Sequence, residues 1–221
     1  MLALKVACYD SEPKPKISNL RVTEGRVLVL LRSIRANSAT GPDSIPARVL
    51  RECAVSLSPS LTRLFNASIV LGKSPDAWKM GLILPLFKAG DKANLDNYRP
   101  ISITSLLGKV LERLVYQCLL DHVQTAGLIP SNQHGFLPRR SCTTMLTAAF
   151  DEWLTLLDQN QGTHIHAVFL DWCKAFDKVP HKRLISKLSY LGIDGNVLAW
   201  ISDFLSDRKQ QVLYRGSTSH P

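Results

Sequence analysis

The stretch HIHAVFLDWCKAFDKVP, residues 164–180, decides how the rest of the chain is read. Its first half is a short apolar run centred on Ala167, Val168, Phe169 and Leu170, and it predicts a buried strand over 164–171. The strand so predicted ends on an acid, Asp171. A carboxylate delivered by a rigid sheet strand is what two-metal phosphoryl transfer requires, because the metals polarise an attacking hydroxyl and stabilise the leaving oxygens. One carboxylate does not satisfy octahedral Mg²⁺, so a second acid is expected from elsewhere in the fold. Asp177 lies six residues further on and reads as a cap for the turn or for the helix that follows. Phe176, by spacing alone, reads as a core ring where a strand meets a helix.

Working outward, apolar residues at helical spacing alternate with short strand-like runs, a mixed α and β pattern. Thr23 and Glu24 open a helix carrying Val27, Leu28, Leu30, Leu31 and Ile34. A second helical region runs from Asp43–Pro46 to Ile69, with Pro59 expected to divide it, and Gly72–Pro75 ends it. MGLILPLFK (80–88) and 98–103 read as two strands around the turn Ala89-Gly90-Asp91. A long amphipathic helix follows over 105–125, ended by Gly127 and Pro130. After the polar, basic loop 131–140 come a helix over 141–157, a turn over 159–163, two helices near 181–191 and 195–206, and a last strand over 209–214. Trp78, Trp153 and Trp200 fall on apolar faces and read as core. His164 and His166 alternate on one strand face with no third ligand nearby in sequence, which does not make a metal site.

Composition narrows the class. The 221 residues are 45% hydrophobic, enough for a sizeable core. Twenty-seven lysines and arginines against 18 acids give a formal charge of +9, which favours a polyanionic partner. The five cysteines are odd in number and include no CxxC pair, which argues against a disulfide framework or a zinc site and for a reducing compartment. No apolar run approaches the ~20 residues of a spanning helix, and the N-terminus is too short and too interrupted for a signal peptide. A soluble protein of the cytoplasm or nucleus is expected, with no membrane partner and its oligomeric state open.

Four ordered blocks carry a resemblance: GPDSIPARVLRE (41–52), LILPLFKAGDKANLDNYRPISITSLLGKVLERLV (82–115), NQHGFLPRRSCTTML (132–146) and LDWCKAFDKVPHKRLISKLSYLGI (170–193). Together they resemble the reverse transcriptases of non-LTR, LINE-type retrotransposons over about residues 20–215. The resemblance implies an α+β, right-hand polymerase fold with fingers and an incomplete palm, helix-rich with a small antiparallel sheet. Residues 1–22, where Pro13 and Pro15 forbid a long helix, read as a loosely ordered lead-in, and the resemblance implies fingers and fingers–palm helices over 23–160 and a partial palm over 161–221. It implies an RNA-directed DNA polymerase working on an RNA template, a DNA primer and dNTPs with two Mg²⁺ ions.

Roles carry over residue by residue. Asp171 would be the catalytic ligand of both metals, and the Trp172 carbonyl would add an oxygen. Phe176 would be the aromatic gate that leaves no room for a 2′-hydroxyl. Lys88 and Arg99 flank the hairpin turn and would bind the triphosphate, the arginine as a planar fork and the lysine as a point charge. Read alone, they are two solvated loop charges. Gly135, Phe136, Arg139 and Arg140 would lie near the template strand, where loop arginines opening onto a helix N-terminus suit phosphate contact. Two positions depart from the family: Leu137 replaces a basic residue and Cys142 a threonine. The family's Gln-Gly block and its aspartate pair do not occur here, so this chain alone is expected to be inactive. A non-catalytic RNA-binding module of the maturase-like kind, or a decayed retroelement remnant, is the competing expectation.

Overall fold

The computed structural model describes residues 14–159 and 164–220. They fall into two compact units, one of residues up to His122 together with Pro180 onward, the other Val123–Val179.

The first unit begins with α1 (Glu24–Ser33), which buries Val27, Leu30 and Leu31. The helix starts where predicted, but the Thr23 side chain makes no capping bond, and its carbonyl accepts from Val27 N–H instead. α2 (Ala47–Glu52) and α3 (Ala54–Leu71) meet at Cys53. The expected division at Pro59 is therefore wrong, since Pro59 lies inside α3. A proline deprives the carbonyl four residues back of its partner. Here that carbonyl, of Val55, takes a hydrogen bond from the Ser58 hydroxyl at 3.2 Å, and the helix continues. Gly72 ends α3 in the left-handed region (φ 61°), where a Cβ would also meet the Ala199 Cβ at 2.8 Å.

β1 (Met80–Phe87) and β2 (Tyr98–Thr104) form the predicted antiparallel hairpin, in register from Gly81 opposite Thr104 to Phe87 opposite Tyr98. α4 (Leu106–Thr125), α6 (His181–Tyr190), α7 (Gly195–Leu205) and β3 (Lys209–Tyr214) also fall where the sequence places them. A short β4 (Ser217–Thr218) adds to the edge. The sheet order is β2-β1-β3-β4, and β3 runs parallel to β1. The expected antiparallel sheet is thus a mixed one. A parallel pair needs a long crossover, and here the intervening chain is more than a hundred residues, so no local turn signal announces it.

Phe65, Trp78, Leu111, Leu114, Ile193, Val197 and Trp200 are buried together at the centre of this unit. Phe65 and Trp78 meet edge to face at 5.9 Å. The GPDSIP block packs on the start of α4: Ser105, fully buried, donates to Asp43 at 2.6 Å and accepts from Gly108 N–H. Of the lead-in expected over 1–22, residues 1–13 lie outside the described part. The rest is tied to the turn before α7, with Ile17 N–H donating to Gly192 and Asp194 N–H donating back to Ile17, both at 2.8 Å.

The second unit holds α5 (Cys142–Gln159), which buries none of its side chains. Trp153, expected in a core, is only half-buried, against Phe150 at 5.3 Å. The expected turn over 159–163 lies, from 160 on, outside the described residues. The expected strand over 164–171 is not formed: this segment is irregular and pairs with no strand among the described residues. A strand is held by ladder hydrogen bonds to a neighbour, and the described residues of this unit supply none. Val168, Phe169 and Leu170 are instead 79%, 88% and 75% exposed.

Candidate functional site

The hairpin sets Lys88 and Arg99 by register. Arg99 stands opposite Leu86, and Lys88 continues the ladder by donating its N–H to Asn97 at 2.8 Å. Directly opposed residues share a face, and residues two apart on a strand share it too. Lys88 and Arg99 are therefore diagonal neighbours on one face, both exposed. The other face carries Phe87 and Tyr98, whose rings meet at 5.4 Å. The turn is braced from within. Asn97 donates to Asp91 O at 2.8 Å, and the Tyr98 hydroxyl donates to Lys92 O at 3.0 Å. The Lys92 ammonium sits 5.7 Å from the Phe87 ring centre. The two cations thus stand on a stiffened tip without an acidic partner among the described residues, free to meet an anion.

The second unit brings the Gly-Phe block to the acidic motif. Phe136 and Phe176 meet edge to face at 5.8 Å, although their rings are 83% and 78% exposed. Phe136 and Arg139 both take left-handed backbone (φ 62° and 61°), which bends the loop sharply on either side of Leu137 and Pro138. Gly135 accepts a hydrogen bond from Gln133 at 3.1 Å. Leu137, where the resembled family has a basic residue, is half-buried and lines a hollow of about 210 Å³ with Pro130, Pro138 and Arg140. α5 starts at a reciprocal cap: Ser141 Oγ accepts from Thr144 N–H, and Thr144 Oγ1 accepts from Ser141 N–H.

Asp171 and Trp172 are exposed and precede a turn over 173–178. The expected delivery of Asp171 by a buried strand is corrected to delivery by irregular chain. Asp177 caps nothing among the described residues; Pro180 precedes α6 without a side-chain bond. To a metal this segment offers the Asp171 carboxylate and the adjoining backbone carbonyl, hard oxygen donors of the kind Mg²⁺ prefers. No group of three or more His, Cys, Asp or Glu side chains stands together among the described residues. The donors fit part of a magnesium shell and leave the remainder to substrate oxygens, water or other carboxylates.

Two clusters escaped the sequence reading. In the first unit, Lys79 is 6% exposed and its ammonium lies 2.8 Å from Asp203, which also receives Lys73 at 2.9 Å and Ser74 N–H at 2.9 Å. Desolvation pushes the Asp203 carboxyl up, but the hydrogen bonds from Lys79, Lys73 and Ser74 and the Lys79 charge outweigh it and hold it at about 2. Lys79 O also accepts from Lys209 N–H at 3.2 Å, so the same lysine starts the β1–β3 pairing. In the second unit, His134 sits between Arg140 and Thr144. No sequence spacing pairs Lys79 with a residue 124 positions away, and a lone histidine beside Gly135 and Phe136 carries no signal of its contacts.

Among the described residues no helix is long and apolar enough to cross a membrane. Residues 88–220 match the family model described as reverse transcriptase (RNA-dependent DNA polymerase). The chain is 30% identical over 206 residues, 93% of its length, to the "Probable RNA-directed DNA polymerase from transposon BS" of Drosophila melanogaster. It is 29% identical over 90% of its length to the "RNA-directed DNA polymerase from mobile element jockey" of the same fly. It is 30% identical over 63% of its length to the "Retrovirus-related Pol polyprotein from type-1 retrotransposable element R2" of Popillia japonica. It spans 22%, 21% and 19% of these relatives, about a fifth of their length.

Proposed function

Because the chain belongs to the reverse transcriptase (RNA-dependent DNA polymerase) family, of the non-LTR retrotransposon type, we propose that it forms the nucleotide- and template-holding part of an RNA-directed DNA polymerase. Residues 23–160 are the fingers and fingers–palm helices, and residues 161–221 belong to the palm. The observation that carries this reading is the hairpin. Two exposed cations, Lys88 and Arg99, share one face at its tip, and the family match begins at the first of them.

Each residue has a task. Arg99 engages two phosphate oxygens through its planar fork, and Lys88 supplies a mobile point charge beside it. Phe176 presents its ring to the incoming sugar, braced edge-on by Phe136, and a 2′-hydroxyl collides with that ring. Asp171 and the Trp172 carbonyl would hold Mg²⁺, which would supply Lewis-acid polarisation of a hydroxyl and neutralise phosphate charge. Arg139 and Arg140, with Gly135 and Phe136 shaping their loop, hold backbone phosphates of the RNA template and DNA primer. None of these contacts reads bases, so binding follows charge and duplex form rather than sequence.

Fluorescence anisotropy of the chain with a labelled RNA template annealed to a DNA primer tests this. Affinity should fall linearly in log–log form with salt. Two backbone-phosphate contacts, from Arg139 and Arg140, would give a slope of roughly −1.6, at about 0.7–0.9 per contact. A folded chain that does not bind, or binds with no salt dependence, removes the polymerase reading.

A further inference from the structure

The hydrogen bonds around His134 admit one proton arrangement. Arg140 has only donors, so the His134 Nε2 that lies 3.3 Å from Arg140 Nη1 must accept. A neutral imidazole that accepts at Nε2 carries its proton on Nδ1. That proton points at Thr144 Oγ1, 2.9 Å away. The hydroxyl takes it as acceptor, accepts Ser141 N–H as well, and donates its own proton to Ser141 O at 2.9 Å. Each proton of this relay, from Arg140 Nη1 through His134 Nδ1 to Thr144 Oγ1, thus finds an acceptor. The imidazole is half-buried, so it is held on the protein rather than swinging in solvent.

We propose that His134 is a positioning residue: anchored to the first turn of α5 through Thr144, it holds the Arg140 guanidinium in place for a nucleic-acid phosphate. A long arginine on an exposed loop ordinarily loses rotamer freedom when it binds. A single hydrogen bond to one Nη leaves the other donors of the fork free for phosphate oxygens and removes part of that entropy cost in advance. Arg139, next along the loop and also exposed, has no such anchor among the described residues. The two arginines of this loop are therefore unequal, with Arg140 the stronger contact. This rests on the reading of Arg140 as a phosphate contact given above.

Two conservative substitutions separate positioning from scaffolding. In His134→Gln the side-chain carbonyl reaches the place of Nε2 and keeps the acceptor for Arg140, while the link to Thr144 is lost. In His134→Asn the amide reaches the place of Nδ1 and keeps Thr144, while Arg140 is released. The full chain is titrated with the labelled RNA–DNA primer–template at several salt concentrations, and each variant is checked for an unchanged thermal melt. His134→Asn is expected to weaken binding roughly fivefold, the worth of one modest hydrogen bond, and His134→Gln to stay within about twofold of the wild type. In an Arg140→Gln background, His134→Asn is expected to change nothing further. Equal losses in the two variants, or a His134→Asn effect that persists without Arg140, overturn the positioning role and leave the phosphate contact standing. An Arg140→Gln chain that binds with unchanged affinity and salt slope overturns the phosphate contact itself, and this inference with it.

Discussion

Replacing Asp203 with alanine is expected to destabilise the first unit by about 3 kcal/mol, the low end for breaking a buried ion pair from one side. The cost lies less in the lost attraction than in what remains. Lys79 is 6% exposed, and without Asp203 its ammonium keeps, among the described residues, only Asp76, 3.9 Å away on a fully exposed side chain. For an ammonium on a buried side chain, a distant surface carboxylate does not replace a 2.8 Å partner. The Ser74 N–H and Lys73 lose an acceptor as well. The consequence extends to the site, because Lys79 lies immediately before β1 and its carbonyl takes the Lys209 N–H that begins the β1–β3 ladder. Lys73→Ala serves as the contrast. That side chain is 73% exposed, and its removal should leave the stability close to that of the wild type.

The sign of the pH dependence follows from the same carboxylate. Asp203 titrates at about 2 in the fold against about 3.9 in an unfolded chain. Its contribution is therefore fully present above about pH 4 and is lost as pH falls from there through about 2. Urea titrations followed by circular dichroism at pH 7, 4 and 2.5 check both statements. Asp203→Ala should lower the midpoint strongly at pH 7, and the gap to the wild type should close towards pH 2.5. A variant within about 0.5 kcal/mol of the wild type at pH 7 would mean that Lys79 finds another partner.

The double substitution Lys88→Gln, Arg99→Gln is expected to weaken binding of Mg²⁺·dNTP roughly thirtyfold. Two solvent-exposed charge-assisted contacts of about 1 kcal/mol each give that factor. The fold should not move, because both side chains are exposed and the turn is held by Asn97, Asp91 and Tyr98 rather than by the cations. The single variants should be unequal, with Arg99→Gln the larger loss, since the fork holds two oxygens and the ammonium one. Equilibrium competition between a fluorescent dNTP and unlabelled dNTP measures this. Unchanged affinity in the double variant would return both cations to the status of solvated loop charges.

What the sequence disclosed follows physical range. Both hairpin strands were legible because turn residues and alternation act within a few positions, and α4, α6 and α7 because their apolar faces repeat at helical spacing. Pro59 misled because the residue before it, Ser58, supplies the hydrogen bond that proline removes. The run Val168-Phe169-Leu170 misled for a different reason: strand propensity resides in the segment, whereas a strand exists only as a pair, and no partner is present among the described residues. The parallel β1–β3 pairing and the Lys79–Asp203 bond join residues more than a hundred positions apart, beyond any local pattern. Of the site, the charges on the hairpin and the order of the four blocks were readable. The edge-to-face meeting of Phe136 with Phe176 and the anchoring of Arg140 by His134 depend on how the loop 131–140 bends, which no residue type in it announces.

A dATP bearing a photoreactive azidoanilide on its γ-phosphate reports most directly where the chain receives a triphosphate. Irradiated with the chain, Mg²⁺ and an RNA–DNA primer–template, it should leave its adduct in the peptide that spans residues 88–99, and excess unlabelled dATP should suppress that adduct. Labelling confined to the arginines of α1–α3, or labelling that unlabelled dATP does not compete, would contradict the assignment of the hairpin to the incoming nucleotide.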